Sequence, residues 1–255
     1  MRIDIAKDVL EHNDALAQEN RRRFAEAGVF VVDLMASPGA GKTTTILATI
    51  GALRDRYRIA VIEGDIASRV DAEKIAEHGI PAVQINTGGA CHLESAMIRR
   101  AIDQLDLDEL DLVIVENVGN LVCPTEFDLG EHAKVMILSV PEGHDKPYKY
   151  PGIFEISEAV ILNKYDTRSV FDFDEEEFRS VVGRLNPRAP IFPMSAKSGE
   201  GVQAWADWLS ERIEAAKEGG ARDARRSDRA ARAARAGGEP QEPLPCGRLD
   251  HAGAR

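Results

Sequence analysis

Seven short apolar runs recur along the chain: VFVVDLM (29–35), RIAVIEG (58–64), AVQIN (82–86), LVIVEN (112–117), KVMILSV (134–140), AVILNK (159–164) and PIFPM (190–194). Amphipathic stretches rich in Ala or Glu lie between most of them. Continuous rather than alternating apolar runs predict strands buried on both faces. Their alternation with helical patterns predicts an α/β fold, a doubly wound and mostly parallel sheet with helices on both faces. Such sheets bind ligands outside the carboxyl ends of their strands. Ahead of the first run, Ile5, Val9, Leu16 and Phe24 form a partial apolar stripe among charges. That stripe predicts a helix over residues 1–26, stopped near Gly28. The nucleotide-binding body then spans residues 27–218.

From Gly219 the pattern disappears. Residues 219–255 hold almost no large apolar side chain and carry eight Arg against five acidic residues. This composition predicts a solvated, disordered tail, with at most a transient helix at ARRSDRAARAARA. Cys246 in it reads as a bystander. The chain as a whole has 255 residues and a net charge of −11, which argues against a nucleic-acid-binding body. Aromatics make up 5% of the residues, too few for base-stacking platforms. No apolar run approaches the roughly 18 residues that span a membrane, and the opening MRIDIAKDVLEHND has no signal-peptide core. Three cysteines without a secretory signal do not make a disulfide framework. These features point to the cytoplasm, where a cysteine is available as a metal ligand.

The first run leads into ASPGAGKTTT (36–45). Apart from Ala36 in the first glycine position, this is the phosphate-loop pattern G-x-x-x-x-G-K-[ST]. A small residue is tolerated there if the backbone does not need positive φ. Backbone amides of Gly39, Ala40, Gly41 and Thr44 are placed to wrap phosphate oxygens at a helix N-terminus. Lys42 reaches the β- and γ-phosphates, and the Thr43 hydroxyl binds Mg²⁺. The sixth run ends in Asn163-Lys164-Tyr165-Asp166. A carboxylate at Asp166 accepts from N1–H and the 2-amino group of guanine, whereas adenine offers neither donor. Lys164 lies along the base, and the amides of Ser195, Ala196 and Lys197, after the last run, serve guanine O6. Phosphate loop, base reader and Ser-Ala-Lys, in that order, specify GTP and GDP. Two further strand ends supply acids: Asp65 (with Asp71 beyond it) and Glu116, with Gly119 just after. Asp65 is the first candidate for Mg²⁺ or the attacking water, and Glu116 the second. Asp71 is equally readable as a helix cap. Gly119 lets backbone approach the γ-phosphate. No Gln stands ready to orient water, so slow intrinsic hydrolysis is expected.

The third run is followed by NTGGACHLESAM (86–97), which sets Cys91 beside His92 after a glycine turn. Cys123 follows the fourth run. Parallel strands bring both segments to the edge where the phosphates bind. Two thiols and an imidazole suit Ni²⁺ or Zn²⁺. The spacing is not that of a zinc finger, and small buried thiols near a turn are the alternative. Three ligands leave a site that water or a second copy of the chain completes. Glu94 is a further ligand or a partner that orients one. Lys146 and Lys149, in PEGHDKPYKYP (141–151), are readable as nucleotide or partner contacts or as solvated loop lysines. His144 reads as a loop residue rather than a distal ligand.

GACHLESAMI, ENVGNLVCPTEFDLGEH and PEGHDKPYKYP resemble the HypB family, the GTPases that aid nickel insertion into nickel–iron hydrogenases. The resemblance runs over residues 5–215 and excludes the basic tail. It implies a P-loop GTPase that forms a homodimer through its nucleotide face, with a metal site at the interface carried by Cys91, His92 and Cys123. It also implies coupling between GTP and metal states. The implied partners are the nickel metallochaperone HypA and the hydrogenase large-subunit precursor. Some members carry an N-terminal CxxCGC and a histidine-rich stretch, and this sequence shows neither, which speaks for delivery rather than tight nickel storage. Three rivals differ in what they require. A urease-type nickel GTPase is expected to carry a Cys-Pro-His unit. A GTP-switched metal-binding regulator would hold GTP without turnover. A translation or secretion GTPase would work fully without metal.

Overall fold

The computed structural model describes residues 5–65, 75 and 77–236. Helix α1 (Ile5–Ala27) leads into β1 (Phe30–Ala36), α2 (Lys42–Leu53), β2 (Ile59–Asp65), β3 (Ala82–Asn86), α3 (Ser95–Ile102) and β4 (Leu112–Glu116). There follow β5 (Ala133–Ser139), α4 (Lys146–Lys149), α5 (Pro151–Ile156), β6 (Ala159–Asn163), α6 (Glu175–Leu185), β7 (Ile191–Pro193) and α7 (Val202–Ala236). The seven strands occur where the apolar runs predict them. They form one sheet in the order β3-β2-β4-β1-β5-β6-β7, and every adjacent pair is parallel. The phosphate loop, the cysteine segments and the Asn-Lys-Tyr-Asp segment all leave the same edge of this sheet.

Alternate residues of each central strand feed opposite faces, as the period of two requires. In β1, Val32 and Leu34 pack with Ile46 and Ile50 of α2 and Trp205 and Leu209 of α7. Val31 faces the other way, into a cluster with Phe24 of α1 and Ile98 of α3. Met35 joins Phe154 of α5 and Phe178 of α6. Trp205 is fully buried, and its indole N–H donates to Thr49 Oγ1 at 2.9 Å.

Two elements depart from the sequence reading. On α1 the expected stripe is buried in part: Phe24 is fully buried and Leu16 half-buried, but Val9 is exposed, and Asn13 and Asn20 are buried beside Ala17. Periodicity of apolar residues finds the helix but not the polar part of its packing face. At the other end, α7 continues through Gly219 to Ala236, so the ARRSDRAARAARA stretch, expected to be at most a transient helix, is an extension of α7. Ala and Arg are strong helix formers, and a helix already anchored by Trp205 and Leu209 propagates at small cost. Residues 237–255, with Cys246, lie outside the described residues, as does Asp71.

Candidate nucleotide and metal site

The phosphate loop is the link between β1 and α2. Ala36 is still part of β1 and does not have positive φ, so the missing glycine is no obstacle. Gly41 caps α2 in the left-handed region, at φ 99°, and Gly39 is also left-handed at φ 82°. Asn163 and Lys164 reach across from the end of β6. Asn163 Nδ2 donates to Ala40 O at 3.0 Å, and Lys164 Nζ donates to Gly39 O at 2.7 Å. Asn163 Oδ1 accepts from the Ala196 amide at 3.1 Å. One asparagine therefore ties the phosphate loop to the Ser195–Lys197 loop. Lys164 itself sits at φ 54°, the single left-handed non-glycine among the described residues. Between these loops lies a cleft of about 340 Å³, lined by Gly41, Thr44, Lys164, Asp166, Ala196 and Lys197. The residues assigned to the base are thus gathered around one cavity beside the phosphate loop.

At the opposite flank of the loop, the Thr43 hydroxyl donates to Glu116 Oε1 at 3.2 Å. Glu116 is buried at the end of β4, where it pairs in register with Glu63 of β2. Asp65 ends β2 two residues on, opposite Asn86 of β3; its side chain lies outside the described residues. Gly119 lies against Pro38, where a Cβ would come within 2.9 Å of the proline ring. It therefore abuts the phosphate loop's own backbone. Sequence reasoning overlooked Glu142: it accepts from the Ser37 hydroxyl and, at 2.8 Å and 2.7 Å, from the amide and hydroxyl of Ser139. The loop after β5 is thereby fastened to the phosphate loop.

The cysteine segments meet next to this flank. Cys91 Sγ and Cys123 Sγ are 3.0 Å apart, and His92 Nδ1 lies 3.6 Å from Cys91 Sγ. Sulfur, sulfur and a ring nitrogen all fall within 4.8 Å of one another, a span one soft or borderline ion bridges. His92 Nε2 faces Glu94 Oε1 at 3.5 Å, and the ring stacks on Phe127 with centroids 3.8 Å apart. The adjoining Cys91 thiol, aided by burial, pushes the Cys123 thiol above its ordinary pKa. His144 is elsewhere: its Nδ1 accepts from the Asp174 amide at 3.1 Å and its Nε2 faces Glu177. Lys149 is paired with Asp145, and Lys146 lies over the Tyr150 ring.

Helix α1 staples the two segments together. Asn13 accepts from the Ser95 amide and donates to Asp128 O, while Asn20 donates to both Ser95 O and Leu129 O. Arg21 holds Asp128 through both carboxylate oxygens at 2.7 and 2.8 Å. Beneath them lies a charge network in the sheet. Asp33 of β1 is fully buried and pairs in register with Lys134 of β5. Lys134 Nζ stands 3.4 Å from Asp33 and 3.0 Å from Glu131. Burial lifts the Asp33 carboxyl to about 6, with Lys134 opposing. Burial disfavours the Lys134 charge, but the two carboxylates outweigh it and raise that pKa. A lone acid in VFVVDLM was the available signal: an apolar strand does not bury a carboxylate without a partner.

Residues 30–193 match the family model described as "CobW/HypB/UreG, nucleotide-binding domain". A hydrogenase maturation factor HypB from Azotobacter chroococcum is 47% identical over 215 residues, covering 84% of this chain and 70% of that protein. The crystal structure of HypB from Helicobacter pylori in complex with nickel superposes with a TM-score of 0.76 at 40% identity, covering 80% of this chain and 95% of the other. The hydrogenase maturation factor HypB from Archaeoglobus fulgidus gives 0.75 at 36% identity, covering 80% and 99%. No described helix is long and apolar enough to cross a membrane. With its family model spanning seven parallel strands and its relatives matched over most of their length, the chain belongs to the HypB hydrogenase maturation factors of the CobW/HypB/UreG nucleotide-binding proteins.

Proposed function

We propose that the chain is a GTP-hydrolysing metallochaperone, carrying nickel as cargo toward the large-subunit precursor of a nickel–iron hydrogenase. The observation that carries this reading is the convergence of Cys91, His92 and Cys123 within 4.8 Å, on the sheet edge that also holds the Thr43–Glu116 contact. Asp166 accepts from N1–H and the 2-amino group of guanine, and within the Ser195–Lys197 loop the Lys197 amide serves O6, since the Ser195 amide donates to Glu200 O and the Ala196 amide to Asn163 Oδ1. Lys42 and the loop amides hold the phosphate oxygens as charge builds on them. Thr43 Oγ1 and the Glu116 carboxylate are adjacent hard oxygen donors, with Asp65 at the neighbouring strand end, a set that fits Mg²⁺. Held by these residues, Mg²⁺ would supply positive charge against the phosphate oxygens. Asp65 and Glu116 orient a water on the γ-phosphorus. Its oxygen bonds to phosphorus as the bridging bond to the β-phosphate breaks, giving GDP and inorganic phosphate.

For the cargo, Nδ1 of His92 faces the thiols while Nε2 faces Glu94, so Glu94 sets the ring's orientation and tautomer. Three ligands at the protein surface suit a transferable ion better than a closed structural site. A second copy, docked nucleotide face to nucleotide face, brings a second ligand set to the same place. HypA and the hydrogenase precursor are the expected donor and acceptor, in the cytoplasm, where reducing conditions keep both thiols free.

The test is a nickel titration with Mg²⁺ and a non-hydrolysable GTP analogue, repeated with GDP, together with phosphate release from Mg²⁺–GTP. Turnover, and a nickel affinity or stoichiometry that depends on the nucleotide and is lost in Cys91→Ala, is the expected result. Nickel binding that is identical in both states and unchanged in Cys91→Ala would overturn the reading. GTP binding without phosphate release would reduce the chain to a regulator.

A further inference from the structure

Asp33, Asn117 and Lys134 touch neither nucleotide nor cargo, yet they join the two flanks of the site. Asn117 directly follows Glu116. Its Oδ1 accepts from the Leu93 amide at 3.2 Å and from the Val118 amide at 2.9 Å. Its Nδ2 donates to both oxygens of Asp33, at 3.2 and 3.1 Å. Leu93 follows His92, is fully buried, and packs on Gly64, where a Cβ would come within 2.7 Å of its side chain. Gly64 in turn precedes Asp65. The Cys91–His92 segment is thus held through one residue, by the neighbours of both strand-end acids.

The second arm starts from the same carboxylate. Lys134 Nζ reaches Asp33 and donates to Phe127 O at 2.9 Å and Pro124 O at 3.3 Å. Pro124 follows Cys123, and the Phe127 ring is the one stacked on His92. A carboxylate and an ammonium buried in register in adjacent strands are costly relative to an apolar pair, and they persist where they fix a unique arrangement. Here the arrangement they fix is the spacing of the two thiol-bearing segments.

We propose that Asn117 and Lys134, both anchored on Asp33, are positioning residues that transmit the state of the Glu116 end of the nucleotide site to the separation of the Cys91–His92 and Cys123 arms. A displacement of Glu116 moves Asn117, which moves Leu93 directly and Asp33, and with it Lys134, at second hand. This rests on the proposed nickel-carrying function. It adds the route by which one site reads the other.

Nickel affinity is measured through its thiolate absorption in two nucleotide states, GDP and non-hydrolysable GTP analogue, and the ratio of the two affinities is the readout. Couplings of this kind typically amount to about 5- to 150-fold. Asn117→Ala cuts one arm. Asp33→Asn, Glu131→Gln and Lys134→Met together remove the buried ion cluster as a unit, so that neither carboxylate stays buried without its counter-charge. Each is expected to bring the ratio below about 2-fold, with GDP affinity unchanged. Lys134→Arg keeps the charge and is expected to recover part of the ratio. If the first variants do not fold, Asn117→Ser and Lys134→Arg with circular dichroism as control carry the same test, each with a reduced ratio. A wild-type ratio of one would overturn the nickel–GTP reading and the relay with it. A wild-type ratio well above one that survives in folded Asn117 and Lys134 variants would overturn the relay alone. A merely structural role would lower stability and leave the ratio where it was.

Discussion

Gly41→Ala is the sharpest perturbation of the nucleotide flank, because a glycine 2 residues away supplies its control. Both Gly39 and Gly41 are left-handed, at φ 82° and 99°. A side chain in that region costs about 1–2 kcal/mol at either position. A Cβ on Gly39 has nothing within 4 Å, so the backbone cost is all it carries. A Cβ on Gly41 meets Asn163 Nδ2 at 2.5 Å, so the asparagine must move. Moving it breaks the 3.0 Å bond to Ala40 O and strains the 3.1 Å bond from the Ala196 amide. Buried partners left unsatisfied add about 1–3 kcal/mol. Urea unfolding is therefore expected to show a loss of about 1–2 kcal/mol for Gly39→Ala and about 2–5 kcal/mol for Gly41→Ala. Titration with a fluorescent GDP should show the larger difference, because Asn163 carries the phosphate loop and the base loop together. Equal stability and equal GDP affinity in the two variants would refute the reasoning, since the asparagine would then not be wedged against Gly41.

Three further outcomes follow from single contacts. Asp166→Asn should weaken GDP by roughly 100-fold or more while leaving ADP unchanged, measured by competition binding, because one of the two guanine donors then meets an amide donor. Trp205→Phe deletes the indole donor to Thr49 Oγ1 and part of a fully buried ring, and thermal unfolding should register a loss of about 1–3 kcal/mol with GTP turnover preserved. His132 must be neutral to accept from the Val31 amide at 3.0 Å, and burial depresses its pKa to about 4. A depressed histidine contributes stability above its unfolded pKa of about 6.5 and loses it as pH falls toward 4. The unfolding free energy of the wild type minus that of His132→Gln should therefore shrink by about 3 kcal/mol between pH 6.5 and 4. Asp33, whose raised pKa acts with the opposite sign over much of the same window, cancels in that difference.

The strands, their parallel direction and the placement of the phosphate loop were legible because each rests on local pattern: continuous apolar runs, a glycine loop and a helix start. Cys91, His92 and Cys123 were legible as a group through topology, since parallel strands deliver their ends to one edge. What local pattern could not supply was the scaffolding. Asn13 and Asn20 look like surface residues of a charged helix until loop and helix-start carbonyls 75 to 115 residues away require donors. Asp33 was visible as an anomaly, and its register with Lys134 would have resolved it. Glu142 and Asn117 act on backbone amides and hydroxyls, which no residue-type pattern announces. For residues 219–236 composition suggests only a transient helix, because it does not register that α7 is anchored upstream and propagates outward.

The stapling helix also has a consequence for how the protein is made. Asn13 waits for Asp128, 115 residues later, and Asn20 for Leu129, 109 residues later. At synthesis rates of about 5–20 residues per second, that interval is on the order of ten seconds. Until Ser95 emerges α1 has an asparagine-bearing face with no partners to serve, and the bonds to Asp128 and Leu129 come later still, so its full docking closes the fold rather than seeding it. The emerging thiols therefore gain their common frame late, after the sheet that supports them exists. A nascent chain offers metal ions in the cell two separated cysteines, and only the finished one offers a claw.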